Sequence, residues 1–178
     1  MQVRNNRRKH LHNDFAEVIA IFRELTRQNR AATHEECLHL LETEKRGVLA
    51  VQGDDGYPYC MPMNHWYDPD TGCIWFHAGH GGHREDALRR CDKVSYCVHN
   101  EGWTEPGDWV KHVTSVIVFG RMELVDDMDE IVRVATALSL KFIQDEAHIR
   151  KEIAASAHKT VLLKLTPEHM CGKHVTEE

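Results

Sequence analysis

The sequence predicts a mainly β fold: a six-stranded antiparallel barrel with helices packed on its outside. Three observations predict it. Six short runs between Gly47 and Leu165 are rich in Val, Ile, Leu, Phe and Tyr or alternate apolar with polar residues. Most are separated only by turn sequences, and connections that short make neighbouring strands antiparallel. Helix-period segments interrupt the run of strands only twice, at His83–Cys91 and after Asp126.

Each element has its own signal. Residues 1–12, MQVRNNRRKHLH, are polar and basic and are expected to be a mobile arm. In the following NDFAEVIAIFREL, Asn13 or Asp14 serves as N-cap and Phe15, Val18, Ile19, Phe22 and Leu25 share one face, which predicts an amphipathic helix over about residues 14–28. Thr33 with Glu36 makes a capping box for a second helix reaching about Glu44. From Gly47 the period changes to that of strands. GVLAV is the first, Asp54–Asp55–Gly56 a hairpin turn, and YPYCMPMNHWY a longer strand. Pro58 and Pro62 cannot donate to a ladder, so that strand belongs at an edge or carries a bulge. DPDTG turns the chain into CIWFH, the third strand, and a short helix over His83–Cys91 leads to the fourth, KVSYCVH. A polar loop, NEGWTEPGDW, precedes the longest strand, TSVIVFGRMELV. Asp126 and Asp127 cap a helix with Ile131, Val134, Ala135, Leu138 and Phe142 at helical spacing, more helix reaches about His158, and TVLLKL is the sixth strand before the tail TPEHMCGKHVTEE.

Bulk properties narrow the function. A chain of 178 residues holds one well-buried core, read as a domain over residues 33–178 preceded by an arm and helix over 1–32. Lys and Arg total 22 against 28 Asp and Glu, a balance that argues against nucleic-acid binding. The six cysteines have no CxxC spacing, there is no apolar run of signal-peptide length, and no segment is long enough to span a membrane. A soluble cytoplasmic protein with reduced thiols is therefore expected.

The chemistry concentrates in FHAGHGGHREDAL, from Phe76 to Leu88. His77, His80 and His83 are a conceivable metal set, but His77 ends a strand and His83 starts a helix, so no single periodicity aligns them and no metal is expected. An anion cradle fits better. Gly81 and Gly82 leave room for a ligand, the helix N-terminus points free N–H groups at that room, and Arg84 adds a planar cation for phosphate oxygens. Composition and spacing alone still leave open a plain surface turn, with Arg84 paired to Glu85 or Asp86.

YPYCMPMNHWYD, IWFHAGHGGHREDAL, TSVIVFGRMELVDD and the closing EHMCGK stand in the order and spacing of the pyridoxamine 5'-phosphate oxidase-like superfamily. From about Thr33 to Val175 the chain resembles its flavin-binding branch of 5-nitroimidazole antibiotic resistance proteins. The resemblance implies a split β-barrel that dimerises and binds FMN at the subunit interface. It implies that Pro62, Met63 and Asn64 run along the ring and ribityl chain, that His77, Ala78, His83 and Arg84 border the phosphate, and that Ser115 and Val116 come from the long strand nearby. Ala78 stands where the branch has a serine, Arg84 where it has a lysine, and Cys171 where it has a threonine.

The function so implied is that of a homodimeric FMN-dependent oxidoreductase acting on small aromatic or nitro-aromatic compounds. Reduced nicotinamide is the expected electron source, and His77 is the side chain expected nearest the chemistry. A heme-binding or heme-degrading protein of the same barrel type, and a non-catalytic flavin-binding module, are the alternatives.

Overall fold

The computed structural model describes residues 22–177. Its strands are β1 (Ala31–Ala32), β2 (Arg46–Gln52), β3 (Pro58–Asn64), β4 (Trp66–Asp68), β5 (Cys73–Gly79), β6 (Lys93–His99), β7 (Trp103–Thr104), β8 (Lys111–Val125) and β9 (Thr160–Glu177). The helices are α1 (His34–Thr43), α2 (His83–Arg90), α3 (Met128–Leu140) and α4 (Glu146–Ser156). All strands join one antiparallel sheet in the order β3-β2-β6-β8-β9-β5-β4, with β1 on β9 and β7 on β8. β3 runs into β4 through His65 alone. The chain therefore ties the two ends of the sheet together, and the sheet must curl into a barrel. β3 and β5 share no ladder. That unpaired seam makes the barrel a split one.

Alternation along the strands fills the interior. Leu49 and Val51 of β2, Met61 and Met63 of β3, Ile74 and Phe76 of β5, Tyr96 and Val98 of β6, Val116 and Val118 of β8, and Leu163 and Leu165 of β9 all point inward. α1 plugs one end with Cys37, Leu40 and Leu41, and its capping box forms as expected: the Thr33 hydroxyl accepts from Glu36 N–H and Glu36 accepts from Thr33 N–H. Burial of side chains this size contributes roughly 1.5–3 kcal/mol each, offset by the entropy of ordering them.

A second cluster lies outside the barrel. Cys73, Trp75 and Leu162 on the outer face of β5 and β9 meet Ile131 and Val134 of α3 and Ile149 and Ile153 of α4. This is why CIWFH reads as a continuous apolar run: both of its faces are covered as far as Phe76. Arg133 of α3 lies 5.2 Å from the Trp66 ring and 5.6 Å from the Trp75 ring, and donates to the buried Asp68 carboxylate at 3.2 Å.

The strand count is nine rather than six for two reasons, and one strand is longer than expected. His65 breaks the run YPYCMPMNHWY into β3 and β4, because its fully buried ring is tied to Leu41 O and to Tyr96 at 2.8 Å each. β1 and β7 are two-residue additions to ladder ends. The tail is not a tail: Thr166–Glu177 continues β9 along β8, with a register shift at Phe119/Gly120 that accommodates Pro167. The expected edge position of the proline-bearing strand holds, since β3 ends the sheet. Phe142 falls beyond α3 and is exposed.

Of the helix expected over about residues 14–28, residues 14–21 lie outside the described residues. Phe22 to Arg27 form no helix, and a 3-10 turn spans Gln28–Arg30. Phe22 stacks on His169 with ring centroids 4.7 Å apart, a tertiary contact that overrides the local helical period.

Candidate functional site

The seam between β3 and β5 opens outward as a cleft of about 330 Å³ lined by Arg46, Pro62, Met63, Asn64 and His77. Strand parity puts them there. Pro62 and Asn64 are outward residues of β3, His77 is outward on β5 one step past the helix-covered Trp75, and Arg46 is the cross-strand neighbour of Asn64. Arg46 Nε donates to Asn64 Oδ1 at 2.8 Å, which holds the guanidinium at the cleft wall. The His77 side chain is exposed at its rim but crowded by the walls. Desolvation, then the nearby Arg84 charge, lower its pKa below the ordinary histidine value. It is therefore a neutral imidazole at neutral pH, with one N–H to donate.

Arg84 enters from the first turn of α2. Its Nη2 donates to Gly79 O at 3.2 Å, while its Nε is buried without a hydrogen-bond partner among the described residues. Such a donor can pair with an anionic oxygen. Around it, a Cβ built on Gly79, Gly81 or Gly82 would meet nothing within 4 Å, and Gly81 and Gly82 have φ of 76° and 82°. The loop is thus open, and its shape requires glycine.

The glycine turn itself is partly self-satisfied. Gly81 N–H donates to the buried Glu85 carboxylate at 2.6 Å, and Arg89 donates to the same group. These bonds, that of Gly81 first, lower the Glu85 pKa, so a negative charge already sits beneath the loop. The turn itself is therefore a poor place for an anion, and the positive charge nearby is that of Arg84. His83 turns away: it stacks on Tyr59 at 4.2 Å and its Nε2 lies 3.3 Å from Asp54 on the β2–β3 hairpin.

Ala78 and Val116 point into the barrel core, so only their backbone faces outward. Met63 is buried yet forms part of the cleft floor. Ser115 is outward on β8, in a row that crosses the sheet: Asn64 pairs with Arg46, which by the β2–β6 register stands beside His99, and His99 pairs with Ser115 and Ser115 with Lys173. The row spans about 19 Å, four strand spacings. Its apolar neighbour runs Pro62, Val48, Cys97, Ile117 and Cys171, with Val48 43% and Ile117 37% exposed. Arg46 was invisible as a site residue in the sequence; only its pairing with Asn64 brings it to the cleft. No group of three or more metal-ligating side chains occurs among the described residues.

Residues 33–174 match the family described as pyridoxamine 5'-phosphate oxidase. The chain belongs to that family. Solved structures similar to this pyridoxamine 5'-phosphate oxidase family member share its barrel. A structure described as that of a 5-nitroimidazole antibiotic resistance protein from Bacteroides thetaiotaomicron is 17% identical over 83% of this chain and 90% of its own, with a TM-score of 0.67. An FAD-binding protein from Mesorhizobium loti is 21% identical over 82% and 97%, with a TM-score of 0.62. A flavocytochrome from Azotobacter vinelandii is 18% identical over 86% and 73%, with a TM-score of 0.71. At these identities the likeness establishes the fold. No curated protein matches the sequence. Among the described residues no helix is long and apolar enough to cross a membrane.

Proposed function

We propose that this family member is a homodimeric FMN-binding flavoprotein that reduces small aromatic or nitro-aromatic compounds, with reduced nicotinamide as electron source. One observation carries the reading: an open seam cleft lined by Arg46 and a neutral His77, with the Arg84 charge near enough to act on that imidazole and its Nε without a partner among the described residues. Two guanidiniums suit one terminal phosphate, and the sequence has no dinucleotide fingerprint for a second. FMN therefore fits the cleft better than FAD. Proteins of this fold that bind FAD and a flavocytochrome are among the similar structures, which supports a flavin in general.

The residues divide the work. Arg46 and Arg84 bind the phosphate; Pro62, Met63 and Asn64 line the path away from it along β3; Ser115 lies farther along the same outer face. His77, neutral and next to the cleft, donates a hydrogen bond or a proton toward the bound substrate. When bound, the flavin supplies the electron and hydride transfer. The apolar row through Val48 and Ile117 supports a second copy on this face, and the cysteine spacing supports the cytoplasm as the compartment.

Chromatography of the cofactor released by heat tests the reading, with FMN as the expected product. Arg84→Ala and Arg46→Ala are each expected to lose about 1.5–3 kcal/mol of FMN binding, roughly ten- to hundredfold, and to keep riboflavin binding. Release of FAD or of heme alone, or equal losses of FMN and riboflavin, would overturn the assignment.

A further inference from the structure

A second cavity, of about 570 Å³, opens at the end of the barrel beside α1 and is separate from the seam cleft. Its wall carries a hydrogen-bonded chain of three side chains from three parts of the sequence. Thr114 of β8 and His174 of β9 are direct cross-strand partners, and Thr114 Oγ1 lies 3.1 Å from His174 Nδ1. The other ring nitrogen, His174 Nε2, lies 3.3 Å from Glu36 Oε2 on α1. Glu36 is itself held by Thr33 N–H at 2.7 Å and by the Thr33 hydroxyl at 3.0 Å, bonds that keep its pKa below the ordinary carboxylate value. The capping box accounts for Thr33 and Glu36. It does not require His174, and it does not require a hydroxyl on the far side of the imidazole.

The order hydroxyl, imidazole, oriented carboxylate is the arrangement that makes a hydroxyl nucleophilic. Asn100 lines the same cavity, and its Oδ1 is occupied by Thr114 N–H at 2.9 Å. That bond directs its amide NH2 elsewhere, and the NH2 group has no partner among the described residues. It is a donor available to a developing oxyanion. Leu38 and Leu40 give the cavity an apolar floor, while Glu35, Glu36 and Glu42 repel anions. The volume is that of a small-molecule site.

We propose that this cavity is a second active site, independent of the flavin cleft, in which Thr114 accepts an acyl group from small neutral or cationic carboxylic esters. Thr114 Oγ1 attacks the ester carbonyl and its proton passes to His174 Nδ1. The C–O bond to the alcohol breaks and the alcohol leaves with that proton. Water then attacks the threonyl ester, giving its proton to His174, and the carboxylic acid departs as Thr114 regains its hydrogen. No oxidant or further reactant enters. Glu36 is a positioning residue: it fixes the ring and stabilises the imidazolium.

The test uses the full chain as isolated, with 4-nitrophenyl butyrate as the substrate probe and a fluorophosphonate as the covalent probe. Thr114→Val and His174→Gln are each expected to lower nitrophenol release by at least about tenfold, with circular dichroism and bound-flavin absorbance unchanged. Glu36→Gln is expected to lower kcat with little change in KM, and the fluorophosphonate adduct is expected to map to the peptide containing Thr114. Wild-type rates in Thr114→Val, or an adduct only on other peptides, would overturn the proposal. Flavin loss in Arg84→Ala leaves ester turnover intact if the two sites are separate, and a parallel fall in both would also overturn it.

Discussion

His65 makes folding stability depend on pH in a calculable way. Its ring is fully buried: Nε2 donates to Leu41 O at 2.8 Å, and Nδ1 lies 2.8 Å from the Tyr96 hydroxyl, whose one hydrogen is contested by Met63 O at 3.0 Å. Desolvation, then the nearby Lys141 charge, push its pKa from 6.5 to about 4. The folded value lies below the unfolded one, so the stabilisation is complete above about pH 6.5 and is lost as pH falls from there toward 4. A group that titrates between those limits makes the fold about 2.5 kcal/mol less stable at pH 4.5 than at pH 7.5. For a domain of this size that is on the order of 5–10 °C in Tm. Other carboxylates titrate in the same range, so the useful quantity is a difference between proteins. His65→Gln keeps an N–H donor toward Leu41 and an oxygen acceptor toward Tyr96 but cannot become a cation. Thermal unfolding followed by circular dichroism at the two pH values is expected to show a drop smaller by about 2.5 kcal/mol in His65→Gln. Equal drops in the two proteins would refute the assignment of a neutral buried imidazole.

Three further outcomes are expected. Arg133→Met leaves the buried Asp68 carboxylate with the Asp70 N–H as its one remaining partner among the described residues and removes the cation from the Trp66 and Trp75 rings, so urea unfolding should show a loss of about 2–3 kcal/mol. Gly120→Ala sets a methyl group 2.2 Å from Thr166 O at the β8–β9 irregularity, which should destabilise by about 3 kcal/mol in the same assay and leave α1 and its capping box untouched. Val48→Asp charges the middle of the apolar row, and light scattering should then report monomer with FMN affinity reduced at least about tenfold; undiminished FMN binding by a monomer would contradict a shared site.

Local signals in the chain were enough for most elements and for the class. The Thr33–Glu36 capping box, the alternation in KVSYCVH, the double-sided apolar run CIWFH and the edge prolines Pro58 and Pro62 each act within about seven neighbouring residues, so each is legible without knowing what packs against it. His77 and Arg84 were legible as a pair of chemically able residues for the same reason, since seven positions of chain connect them through a glycine turn. Tertiary structure decided the rest. The polar stretch Thr166–Glu177 becomes strand because β8 offers it a ladder, and Phe22 stacks on His169 outside any helix. Arg46 reaches the cleft through its register with Asn64, and His83 leaves it for Tyr59 and Asp54. The Thr114–His174–Glu36 chain exists only where α1 meets the ends of β8 and β9. Period and capping are properties of neighbouring residues, whereas register and curl come from hydrogen bonds and burial between segments up to 138 positions apart, and no short stretch contains them.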